Sequence, residues 1–68
     1  MWRIRWDNKT AHVLGKKEYG YYSTVYKNKK LAQMEVINFN REFPDIKHSI
    51  IKAEDAAWDE LKQAENKP

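Results

Sequence analysis

Residues 2–6, WRIRW, alternate strictly between apolar and charged side chains, with Trp2, Ile4 and Trp6 on one side and Arg3 and Arg5 on the other. A period of two predicts a half-buried strand. Asp7-Asn8-Lys9 then reads as a turn. A second short strand is predicted across Thr10–Leu14, closed by Gly15-Lys16-Lys17. The run from Tyr19 to Tyr26 is rich in Tyr, Thr and Val and predicts a third strand. Tyr22, Thr24 and Tyr26 fall on one side of it, with Tyr19, Tyr21, Ser23 and Val25 on the other, and the alternation leaves open which side faces the core. Gly20 marks a bulge or a close backbone approach. These three strands are most economically joined as an antiparallel meander.

Beyond Tyr26 the period changes. Asn28 is placed to cap a helix over about Lys29–Phe43. At 3.6 residues per turn, Ala32, Val36, Phe39 and Phe43 share one face, the predicted core face. Met34, Ile37 and Arg41 gather on a second face. Pro44-Asp45 stops the helix. Ile46 to Lys52 alternates again, with Ile46, His48 and Ile50 opposite Lys47, Ser49 and Ile51, and predicts a strand. A last helix is expected over about Glu54–Glu65, with acids in its first turn and an apolar stripe of Ala57, Trp58, Leu61 and Ala64.

The expected fold is therefore α+β with element order βββαβα. It consists of a small four-stranded sheet (a three-stranded meander, a helix and a fourth strand), one helix packed on a face and a C-terminal amphipathic helix. A single domain over residues 1–65 is expected, with 66–68 as a frayed tail.

Sixty-eight residues leave little chain for a deep pocket or a lid. There is no cysteine, which excludes a disulfide scaffold, a thiolate nucleophile and Cys-containing zinc sites. No long apolar run suggests a signal peptide or membrane span, so a cytoplasmic location is expected. The net charge of +3 hides an asymmetry. Residues 1–30 hold eight Lys/Arg and two acids, and residues 31–68 hold five Lys/Arg and eight acids.

Catalytic chemistry finds little footing. Gly15 and Gly20 cannot form a nucleotide-binding loop. His12 and His48, the only histidines, lack metal-ligand spacing. Ser49 adjoins His48, but neighbouring strand residues point to opposite faces, so they form no nucleophile–base pair. No enzyme, metal site or cofactor is expected.

What remains is surface. The first reading is a non-enzymatic protein–protein interaction module, a small regulator or inhibitor of a larger machine, of the kind mobile elements carry among their accessory proteins. Its partner would be another protein or a second copy. The residues expected to carry it are Met34, Ile37 and Arg41 on the first helix, with Asp55, Asp59 and Glu60 on the acidic last helix. A competing structural reading packs the Ala57/Trp58/Leu61/Ala64 stripe against Met34 and Ile37 within the chain. The alternative function is single-stranded nucleic-acid binding. It would use an open sheet face that joins Arg3 and Arg5 to Tyr22 and Tyr26, with Lys16, Lys17, Lys27, Lys29 and Lys30 at its margins.

Overall fold

The computed structural model describes residues 1–9 and 18–65. Its elements are strand β1 (Trp2–Asn8), strand β2 (Tyr19–Tyr21), helix α1 (Lys29–Glu42), strand β3 (Ile46–Lys52) and helix α2 (Ala53–Glu65). Among the described residues the sheet has three strands in the order β2-β1-β3, both pairings antiparallel. The expected four-stranded sheet and βββαβα order are thus corrected to three strands and the order strand, strand, helix, strand, helix. The strand expected at Thr10–Leu14 and the tail at 66–68 lie outside the described residues.

Two boundaries differ from the expected ones for local reasons. Asp7 and Asn8, read above as a turn, stay in β1 because β3 is long enough to pair with them, at Lys47 and Ile46. The run from Tyr19 is a strand only as far as Tyr21. The Tyr22 amide still donates to the Ile4 carbonyl, but Ser23, Thr24 and Val25 are exposed, and the chain returns to β1 for one bridge between Tyr26 and Trp2. With Ser23 and Thr24 polar and Val25 left 48% exposed, that stretch buries little on a sheet face, and its alternation did not produce a ladder.

β1 is central, and its alternation sorts the molecule into two sides. Trp6 pairs with His48 and Ile4 with Ile50 on one face, while Arg3 pairs with Ile51 and Arg5 with Ser49 and Tyr21 on the other. β2 and β3 are each antiparallel to β1 and so run parallel to one another, which demands a crossover; α1 supplies it. Asn28 caps α1 as expected, its side chain accepting from the Lys30 amide at 2.9 Å. The predicted core face is the one that docks: Ala32 is wholly buried, Val36 and Phe39 are half-buried, and Phe39 stacks on Tyr22. Phe43, at the helix end, is 47% exposed but still meets the His48 ring.

α2 engages the opposite face. It begins directly after β3, the Ala53 amide donating to the Met1 carbonyl at 3.0 Å. With no loop at the junction, the last strand residues set the helix rotation. Ala56 is turned inward and wholly buried, its methyl group allowing the helix backbone to approach the sheet. The apolar stripe of Ala57, Trp58, Leu61 and Ala64 is therefore left exposed. Only Ile4, Ala32 and Ala56 are fully buried apolar residues among those described.

Gly20 sits opposite Trp6 in the ladder. A methyl group built there would lie 2.7 Å from Trp6 Cζ2. The glycine leaves room for the indole to lie across β2, which is the close approach expected from sequence.

Candidate interaction surfaces

The Arg3 face of the sheet is occupied by its own chain. Arg3 is 9% exposed, and its Nη1 and Nη2 donate to the two carboxylate oxygens of Glu60 on α2. Its Nε donates to the Tyr22 carbonyl at 2.8 Å. That ion pair holds the Glu60 carboxyl below its ordinary range. Beside it, the Tyr21 hydroxyl donates to Asp59 Oδ2, which also accepts from Gln63 at 3.3 Å. Burial, then the bond to Asp59, pushes the Tyr21 phenol up to about 12, while the same hydrogen bond holds Asp59 below the usual carboxylate range. Arg5 donates to Asp7 at 3.1 Å and lies 4.5 Å from the Tyr19 ring centroid.

The nucleic-acid reading required these cations and the expected aromatic pair on one open face, and the structure distributes them differently. Arg3 and Arg5 share their face with Tyr19 and Tyr21, not with Tyr22 and Tyr26. Tyr22 points to the other side, against Phe39 and His48. Tyr26 is half-buried beside the β1 end. Lys29 lies over the Trp2 ring, 5.0 Å from its centroid. Lys27 and Lys30 are exposed, and Lys16 and Lys17 lie outside the described residues.

On the α1 face, His48 is 3% exposed. Asn40 Oδ1 accepts both from the His48 amide, at 2.8 Å, and from the ring Nδ1, at 3.1 Å. An amide oxygen can only accept, so Nδ1 carries the proton and Nε2 accepts from the Tyr22 hydroxyl at 3.1 Å. Both ring nitrogens are thereby committed to protein groups. Burial holds this imidazole below its ordinary pKa, opposed in part by its hydrogen bond to the Ile46 backbone carbonyl. Sequence spacing gave no sign of this cluster, because Asn40 and His48 approach only through the bend after α1. Among the described residues no group of three His, Asp or Glu side chains is arranged to hold a metal ion.

The two helices present their remaining large apolar side chains to solvent. On α1, Met34 is 54% and Ile37 58% exposed, with Arg41 beside them. On α2, Trp58 is 64% and Leu61 51% exposed, and with Glu54 and Ala57 they line a shallow depression. The alternative in which these stripes pack together within the chain is corrected: they belong to helices on opposite faces of the sheet. Of the expected acidic residues, Asp59 and Glu60 are turned toward Tyr21 and Arg3, and Asp55 is exposed. Trp58 and Leu61 were legible as an apolar stripe, but not that the stripe faces solvent; the missing signal was the loop-free β3–α2 junction.

No family model, curated protein or solved structure matches this chain. The structure itself defines a small α+β domain, and no helix among the described residues is long and apolar enough to cross a membrane.

Proposed function

We propose that this protein is a non-enzymatic protein–protein interaction module acting in the cytoplasm, and that it works through the outer faces of its two helices. One observation carries the reading: four large apolar side chains, Met34, Ile37, Trp58 and Leu61, are each more than half exposed, while few apolar residues among those described are wholly buried. Apolar side chains grouped with charges at the edge are the composition of interface centres and rims. Arg5, Tyr21, His48, Asp59 and Glu60, whose proton affinities are altered, are each hydrogen-bonded to other groups of the fold, which supports a structural role for them.

The test compares wild type with Met34→Ser/Ile37→Ser and Trp58→Ser/Leu61→Ser. Cross-linking with mass spectrometry should recover protein contacts at these faces in wild type, lost in at least one double variant while the fold is retained. Oligonucleotide anisotropy run alongside gives the opposing result. Salt-sensitive binding to single strands that both double variants retain, with no protein contact recovered, would replace this reading with the nucleic-acid one.

A further inference from the structure

Lys30, Met34, Ile37 and Arg41 stand at positions i, i+4, i+7 and i+11 of α1. Glu54, Trp58, Leu61 and Glu65 stand at the same four spacings along α2. The 4-3-4 spacing is the seam of paired helices, which returns to one side of the helix over about 16 Å. Each row has two large apolar residues at its centre and a charge at each end. The ends are cationic on α1 and anionic on α2.

We infer that this protein assembles with further copies of itself, the α1 row of one molecule pairing with the α2 row of the next. This rests on the interaction-module reading and names the partner. Charge decides among the possible pairings. Overlaying two α1 rows in full register sets Lys30 and Arg41 against cations, and overlaying two α2 rows sets Glu54 and Glu65 against acids. An α1 row laid on an α2 row matches opposite charges at both ends, in either direction. Ion pairing within the fold does not consume these charges: Lys30, Arg41 and Glu54 are exposed and make no ion pair among the described residues.

The rows cannot satisfy one another within a single molecule, because α1 and α2 dock on opposite faces of the sheet and leave Met34, Ile37, Trp58 and Leu61 exposed. The contact is therefore heterologous. Repeated, it builds a chain of molecules, or a ring if the rotation closes, rather than a two-fold dimer.

Charge exchange tests the pairing. Wild type should show, by sedimentation velocity from about 1 µM to about 1 mM, a mean mass that rises past twice the 8.2 kDa monomer, and assembly should weaken as salt is raised. Lys30→Glu/Arg41→Glu gives a molecule with two acidic rows, and Glu54→Lys/Glu65→Lys one with two basic rows. Each alone should stay monomeric with unchanged helicity, and an equimolar mixture should assemble as wild type does.

Wild type that remains monomeric throughout overturns the inference without help from any variant. If the serine variants still lose a cross-linked protein of another kind in that case, the broader reading stands and only the self-assembly fails. A mass that stops at twice the monomer, unaffected by the α1 exchange, also overturns it in favour of symmetric α2 pairing.

Discussion

Arg3, on the central strand, and Glu60, on the last helix, are 57 positions apart and meet as a two-pronged ion pair. The pair clasps the two ends of the described chain together across one face of the sheet. Arg3 is the more deeply placed partner, at 11% side-chain exposure against 46% for Glu60. Glu60→Ala should therefore strand a largely buried guanidinium, still bonded to Tyr22 but without its countercharge. The expected loss is about 1–2 kcal/mol, reduced by solvent around the carboxylate. Urea unfolding of the variant should show the midpoint fall, and Arg3→Leu/Glu60→Leu should recover part of it.

Gly20→Ala tests the indole's approach to β2. The added methyl group would enter the Trp6 ring edge at 2.7 Å, and a fused ring in a packed sheet has no small adjustment available. A destabilisation of about 1–3 kcal/mol is expected. Trp6 fluorescence should shift with it, whereas an unchanged unfolding midpoint would show that the ring is free to move.

Asn40→Ala removes the one oxygen that accepts both from the His48 amide and from its ring. The His48 amide would then face burial unpaired and the ring N–H would keep only its backbone bond at Ile46, costing about 1–3 kcal/mol. The acid response of the same cluster has a definite sign. Burial lowers the folded-state pKa of His48 from 6.5, so below that value the unfolded chain binds the proton more readily. His48's contribution is complete above pH 6.5 and is lost as pH falls through the lower folded value. Urea midpoints measured across that range should decline, and His48→Gln should flatten the slope.

The Tyr21–Asp59 bond predicts the alkaline limit. The phenol is raised from 10.0 to about 12 in the folded protein, so its stabilising contribution is intact below pH 10.0 and disappears as pH climbs to about 12. Phenolate absorbance should show Tyr21 titrating late, alongside Tyr26, which burial also raises, and Tyr21→Phe should remove the step at about 12. The Asp59 carboxylate has the reverse dependence. Its depressed pKa makes its contribution complete above the ordinary value of 3.8 and lost in more acidic solution.

Met34→Ser/Ile37→Ser should leave the unfolding midpoint nearly unchanged, within about 0.5 kcal/mol per site, because both side chains already face water. A larger loss would mean that this row is part of the core.

Much of the local structure was legible in the sequence. The Asn28 cap, the α1 core face, the alternation of β1 and the extent of β3 all depend on neighbours within a few residues, and periodicity records them directly. The strand order and the rotation of α2 were not legible in this way. Both depend on contacts across most of the chain, such as Ala53 with Met1 and Glu60 with Arg3. The α2 stripe illustrates the difference. An apolar period says that a face avoids water, but not whether it does so within its own fold. Its acids show the same limit: Asp59 and Glu60, read as candidates for a partner surface, meet Tyr21 and Arg3 only because the fold brings these beneath them.

The placement of β1 at the centre of the sheet has a consequence for how the molecule comes into being. During synthesis this strand leaves the ribosome before either of its neighbours, and β3, the longer one, follows only after α1. Ile4 and Arg3 must remain without their final surroundings until nearly all of the described chain has emerged. Translation blocked before β3 then leaves the WRIRW segment with the edge that β3 covers bare, open to pairing with another chain.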